Sequence, residues 1–219
     1  MKHPRAVLVM MIVCIALAIA VFLPAARPVQ AGSAKAVNSE GAVPDLSQPD
    51  LSQQDLTKAE AYCVKKGGEV NDREPYFNTN GDPQDWLRLA GARQFCKFTA
   101  KSGPDKGSRI YVELSTLYTE KPSLAALAYY AEVPPGSCNG NPASCYCSLL
   151  GGSDLFGGIN ASGGGWVKKS DPDDQVLEAC IFPDMSTIDS WGLTYHSFGT
   201  IRGKDLSKVL RYKNPYGTK

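Results

Sequence analysis

The chain holds two histidines, His3 and His196, so any chemistry in its main body has a single imidazole to work with. Paired-histidine metal sites are excluded on that count, and a His-dependent acid–base relay would need partners brought in from elsewhere in the chain. A serine hydrolase would need a serine, His196 and an acid to converge, and no local pattern marks such a nucleophile. His196 therefore reads as a satisfied residue on a strand. Cys145-x-Cys147 has the spacing of a redox or metal-binding dithiol, but the cysteine count favours structural disulfides. Asp171, Asp173 and Asp174, with Glu178 nearby, form an acidic loop that could hold calcium; acid runs on loops are usually solvated, and this one is read so. Asn78-Thr79-Asn80-Gly81-Asp82 has part of a calcium loop but no bidentate Glu to complete it, which makes it a turn. The glycine-rich loop Gly157–Gly165 lacks the Lys-Ser or Lys-Thr of a phosphate-binding loop. Within it, Asn160-Ala161-Ser162 is formally a glycosylation sequon. The chain is accordingly expected to carry no cofactor, no metal and no catalytic residues.

The remaining functional candidates are aromatic. Tyr129, Tyr130, Tyr212 and Tyr216, with Trp86, Trp166 and Trp191, suit recognition of a peptide, protein or glycan. Most of them should lie in the core, Trp191 first among them.

Lys2 and Arg5 precede an apolar run from Ala6 to Leu23, with small residues at Val29 and Ala31. This pattern is that of a secretory signal, with cleavage expected after Ala31 and retention as a membrane anchor as the alternative. Residues 1–31 hold three cations and no acid, so their removal moves the net charge from +1 to −2. The balance leaves no electrostatic footprint for nucleic acid or anionic lipid.

Of the seven cysteines, Cys14 lies in the signal, leaving an even number in a chain bound for an oxidising compartment. Six cysteines permit 15 pairings. A self-match selects among them: shifted back by 84 positions, Cys147 falls on Cys63, Cys180 on Cys96, Tyr146 on Tyr62, Gly151 and Gly152 on Gly67 and Gly68, and Phe182 on Phe98. A fixed-offset match is the signature of a duplicated structural unit. If equivalent cysteines pair within each copy, Cys63 joins Cys96 and Cys147 joins Cys180, which leaves Cys138 for Cys145.

The elements follow from periodicity and turn residues. Residues 32–54 read as a disordered linker with a Pro-Asp-Leu-Ser-Gln echo. Leu56–Lys66 is expected to be a helix, capped by Asp55 or Thr57 and stopped at Gly67-Gly68. Glu69–Leu89 reads as a variable stretch, with Trp86–Leu89 packing onto the core. Gln94–Thr99 and Arg109–Thr119 form a hairpin, and a helix runs from Leu124 to Glu132. The second copy repeats the order: a helix from Pro142 to Leu150, strands at Trp166-Val167, Val176–Phe182 and Trp191–Phe198, and a closing helix from Lys204 to Tyr212.

The stretch Asn141-Pro142-Ala143-Ser144-Cys145-Tyr146-Cys147, then Gly151-Gly152, then Cys180-Ile181-Phe182-Pro183-Asp184-Met185-Ser186 and Asp189-Ser190-Trp191, resembles domain-of-unknown-function family 333. Members of that family are small, mostly exported or lipid-anchored bacterial domains, often labelled hemolysins. The family pattern has Gly where Met185 stands and often a Cys where Ile188 stands. The resemblance implies the loss of one family disulfide, with Cys138 and Cys145 as its replacement, and it lends no catalytic residues.

The expected protein is α+β, built as two tandem repeats, 55–136 and 137–219, each a small antiparallel sheet with packed helices and a long disulfide. Its expected role is that of an exported, non-catalytic binding or envelope-associated protein, periplasmic or secreted, touching membrane only through an uncleaved signal. One alternative is a secreted hydrolase inhibitor presenting Ser153–Gly165 or Asn71–Gln84 as a rigid loop. The other is a hemolysin-like membrane-active protein.

Overall fold

The structure is a computed structural model that describes residues 51–154, 161–172 and 174–217, all of which fall in one compact unit. The signal, most of the linker, Asn160 and Asp173 lie outside the described residues. The first helix, α1 (Gln53–Lys65), starts earlier than expected, because Ser52 is its cap and accepts from the Asp55 amide at 3.2 Å. It stops where Gly67 takes φ +85°, a left-handed position suited to glycine. Leu51, inside the segment read as linker, packs on the core.

One long strand was not expected. β1 (Glu69–Phe77) runs through a segment whose Asn, Asp, Arg, Glu and Pro read as a loop, and it alternates nonetheless, with Asn71, Arg73 and Pro75 buried. The short strand β2 (Leu87–Arg88) pairs with its end and is exposed, so the expected packing of this segment on the core is corrected. β3 (Arg93–Thr99) and β4 (Arg109–Glu113) make the expected hairpin. β4 ends six residues early, however, and the chain enters α2 (Leu114–Tyr118), whose Leu114 and Leu117 are buried one helical turn apart. α3 (Leu124–Ala131) and α4 (Pro142–Leu149) follow, capped by Ser123 and Asn141.

The second half supplies β5 (Gly164–Val167), β6 (Val176–Leu177), β7 (Ala179–Ile181), β8 (Thr187–Asp189) and α5 (Ser190–Ser197). The expected strand over Trp191–Phe198 is therefore a helix: Asp189 caps it by accepting from the Gly192 amide at 2.8 Å. The expected closing helix is a single 3-10 turn at Leu206–Lys208, although Leu206, Val209 and Leu210 are buried as a helix face would have been.

The α+β class stands, with the strands of both halves in one antiparallel sheet ordered β6-β5-β1-β3-β4-β8-β7. The halves meet at two seams, where residues 74–77 of β1 pair with β5 and where Val112 of β4 pairs with Ile188 of β8. One face of the sheet carries the main core against the helices, including Cys96, Phe98, Val112, Cys180 and Ile188. The other face holds Phe95, Tyr111, Trp166, Leu177 and Ala179. The end strands β6 and β7 are separated along the chain by Glu178 alone, so the sheet curls and encloses this second face. Arg73, Arg93 and Glu113 are buried within it.

Among the described residues three disulfides form: Cys63–Cys96 and Cys147–Cys180, each spanning 33 residues, and Cys138–Cys145, spanning 7. They are the pairs expected from the self-match. The long bridges tie α1 to β3 and α4 to β7, and beside each lies a glycine, Gly68 or Gly152, where an added Cβ would overlap both sulfurs. Two hydrogen bonds run between the halves in reciprocal fashion. The Tyr62 hydroxyl donates to the Val209 carbonyl at 2.8 Å, and the Tyr146 hydroxyl to the Val133 carbonyl at 2.6 Å.

Candidate functional site

The ends of α3 and α5 open on a cleft of about 390 Å³ lined by Tyr130, Glu132, His196, Asp205, Ser207 and Tyr216, among others. His196 stands in the last turn of α5, because that segment is helix and not strand. Its ring lies flat on Tyr129, with centroids 3.8 Å apart and planes 2° from parallel. Its Nε2 stands 3.5 Å from Glu132 Oε1. Glu132 ends α3 with φ +46°, a left-handed conformation uncommon for a residue with a side chain.

Tyr129 is a spacer between the two sides of the cleft. Its hydroxyl accepts from the Leu206 amide at 3.1 Å and reaches Asp205 Oδ1 at 3.5 Å. Burial pushes the Tyr129 phenol up, and that of Tyr130 up to about 12, so both are neutral hydrogen-bonding groups at ordinary pH. At Asp205 burial opposes ionisation, but the Ser207 hydroxyl and amide and the Lys208 ammonium outweigh it and hold the carboxyl below its usual range. The Ser207 hydroxyl donates to Asp205 at 2.6 Å, which makes it part of a cap and not a nucleophile paired with His196. Tyr216 is 57% exposed at the rim. The cleft thus offers carboxylates, neutral hydroxyls, one imidazole and aromatic surface.

The stretch from Asn141 to Ser190 builds a second polar cluster. Asn141 Nδ2 donates to both oxygens of Glu178, at 2.9 and 3.0 Å. The Ser144 and Ser190 hydroxyls donate to Asp154 at 3.0 and 3.3 Å. Burial raises Glu178 to about 7, with the charges of Asp154 and Asp189 adding to the shift, and raises Asp189 to about 6. Asn141 and Asp189 are also the caps of α4 and α5. The cluster fastens two helix starts to the β6–β7 corner.

The other motif residues are structural. Gly67 and Gly151 take φ +85° and +83°, ending α1 and α4. Tyr146 and Phe182 are buried, and Tyr62 packs against the core. Asp184 accepts from the Leu124 amide at 2.7 Å and so helps to cap α3. Trp191, expected in the core, is half-buried at the side of α5, within 6.0 Å of Tyr195; Trp166 is the tryptophan that is enclosed, 2% exposed.

The acidic loop is not a solvated run. Asp171 Oδ2 accepts from Arg73 and Lys97 at 3.0 and 3.1 Å, and Asp174 is held by Arg109 and by the Tyr111 hydroxyl at 2.8 Å. These carboxylates are turned inward onto cations of the enclosed sheet face. Of the two inhibitory-loop candidates, Asn71–Gln84 begins as β1, and much of Ser153–Gly165 lies outside the described residues. Among the described residues no helix is long and apolar enough to cross a membrane.

The sequence could not show the cleft, because Glu132, His196 and Asp205 come from three segments that only the fold brings together. The one available signal was that the lone histidine of the main body precedes a Gly-rich turn. Comparison of the chain with protein-family models, curated proteins and solved structures found no match.

Proposed function

We propose that the protein is an exported, disulfide-clamped recognition module that binds a polar ligand, peptide or glycan, in the cleft at His196 without transforming it. The disulfides fit an oxidising, extracytoplasmic compartment. The basic-then-apolar start of the chain supports delivery by a signal cleaved after Ala31 to the periplasm or medium. The motif shared with domain-of-unknown-function family 333 supports the same setting.

One observation carries the binding reading: an imidazole, two carboxylates and exposed aromatic surface converge in a single cleft. A few polar groups placed in a concave site are what ligand recognition requires. The Ser207 hydroxyl of the cleft is committed to Asp205, which supports recognition over nucleophilic chemistry there.

The test is a titration of isotope-labelled protein with a panel of acidic, neutral and basic oligopeptides and oligosaccharides, followed by amide chemical shifts. Shifts centred on Glu132, His196 and Tyr216 are expected from at least one class. A panel that moves no cleft amide, or turnover of any member of it, overturns the reading.

A further inference from the structure

We propose that Asn139 is a site of spontaneous covalent modification, at which the side-chain amide becomes a carboxylate through attack by the chain itself, faster in the folded protein than at any other described asparagine. The Gly140 amide nitrogen attacks the Asn139 side-chain carbonyl carbon. A new C–N bond forms, the C–NH2 bond breaks, and the leaving nitrogen takes a proton and departs as ammonia. Water then opens the resulting succinimide at one carbonyl or the other. One opening gives aspartate; the other gives isoaspartate, in which the backbone runs through the side-chain carbon. The reaction needs a following residue small enough to let its nitrogen approach, an N–H not held by a carbonyl, and a side-chain amide free to turn. Asn139-Gly140 meets all of these conditions. Glycine has no Cβ to block the approach. Both residues are exposed, and among the described residues neither the Asn139 side chain nor the Gly140 amide has a hydrogen-bond partner.

Each of the other described asparagines fails a condition. Asn80-Gly81 is the same pair of residues and Asn80 is exposed as well, but the Asn80 side chain donates to the Ala161 carbonyl at 3.2 Å and the Gly81 amide to the Asn78 carbonyl at 3.0 Å. Exposure therefore does not separate the two pairs; hydrogen bonding does. Asn78 is followed by the branched Thr79 and donates to the Asp85 carbonyl at 3.3 Å. Asn71 is fully buried. Asn141 and Asn214 precede Pro142 and Pro215, whose nitrogens carry no hydrogen. The position of Asn139 gives the change a consequence. It lies in the loop closed by Cys138–Cys145, shortly before Asn141, whose side chain accepts from the Ala143 and Ser144 amides and caps α4. Isoaspartate lengthens the backbone of that ring by a methylene, and either product puts a negative charge beside the cap.

The experiment holds the folded protein, disulfides intact, at mildly alkaline pH, samples it over time, quenches in acid and maps the peptides by mass spectrometry, with fragmentation to separate isoaspartate from aspartate. A parallel sample is reduced and denatured. In the folded sample Asn139 is expected to convert about tenfold or more faster than Asn80, with ammonia released in step. In the denatured sample the bonds that hold Asn80 and Gly81 are gone, and the two pairs should convert at similar rates. Asn139→Gln has a longer side chain that would have to close a larger ring, so it should stay unconverted; the side chain it replaces is exposed and unpartnered, so the variant should fold. Amide shifts of Ala143 and Ser144 should move in the converted protein and stay in place in Asn139→Gln held under the same conditions. A folded sample in which Asn80 converts as fast as Asn139 overturns the proposal. So does an Asn139 that stays intact in the folded sample while the denatured sample reacts, or ammonia released from folded Asn139→Gln at the wild-type rate.

Discussion

Asn141 and Glu178 are joined by one amide nitrogen that donates to both carboxylate oxygens, at 2.9 and 3.0 Å, across the corner where β6 becomes β7. The bond favours the ionised carboxylate, yet burial outweighs it and lifts Glu178 to about 7. The proton is therefore held more tightly in the folded state than in the unfolded chain, where a glutamate titrates near 4.5. Stability from this group is fully present below that ordinary value and is lost as pH rises through about 7. Asp189, lifted to about 6 by burial, adds loss in the same direction. Urea midpoints should fall between about pH 5 and about pH 8, and Glu178→Gln should flatten the fall. A midpoint that rises over that range would contradict this account.

The two long disulfides should matter more than the short one. Loop closure in the unfolded chain makes a bridge spanning 33 residues worth about 3–4 kcal/mol and one spanning 7 about 2 kcal/mol. Alanine pairs at Cys63–Cys96, Cys147–Cys180 and Cys138–Cys145, compared by urea denaturation, should fall in that order, the first two close together. Gly68→Ala and Gly152→Ala should each be destabilising as well, because the new methyl meets the disulfide beside it.

Met185 takes φ +65° at the β7–β8 turn, where a left-handed backbone costs a residue with a side chain about 1–2 kcal/mol relative to glycine. Met185→Gly should stabilise the fold by up to about 1 kcal/mol, after the added freedom of glycine in the unfolded chain is subtracted. A thermal melt decides it; a lowered midpoint would mean that the methionine side chain contributes packing beyond its backbone strain.

Arg93 and Glu113 are both buried on the enclosed sheet face, with Arg93 Nη1 3.5 Å from Glu113 Oε1. Glu113→Ala removes a counter-charge and leaves Arg93 with the neutral acceptors Met185 and Thr187, so it should destabilise by about 3–5 kcal/mol. The joint replacement Arg93→Met with Glu113→Leu should recover most of that loss, since a buried pair repays little of its desolvation. Denaturant curves of the single and double variants make the comparison.

Much of the fold was legible because its signals are local. Cysteine spacing gave the bridges, Gly67 and Gly151 gave two helix ends, and Ser123 and Asn141 stood at two helix starts. β1 was not legible because Asn71 and Arg73 are polar yet buried, and Arg73 has its partners, Trp166, Asp171 and Tyr111, far along the chain. α5 was mistaken for a strand because Thr194, Tyr195 and Phe198 favour strands, while the cap that decides the matter is Asp189. Trp191 was placed in the core because it falls within the Asp189-Ser190-Trp191 motif, although the enclosed position opposite Phe95 belongs to Trp166, 5.4 Å away. At the cleft, the sequence singled out His196 but neither Glu132 nor Asp205, because each is unremarkable until α3, α5 and the segment after them meet.

The reciprocal tyrosine bonds bear on how the molecule would respond to a protease. Among the described residues, no disulfide links the segment before Pro134 to the segment after Asn141. Yet Tyr62 grips a carbonyl of the later segment, Tyr146 grips one of the earlier, and β4 pairs with β8 between them. A single cut between the end of α3 and Cys138, in the stretch that holds Pro134, Pro135 and Gly136, would sever the chain without parting it. The two pieces would travel together as a non-covalent heterodimer and separate only in denaturant.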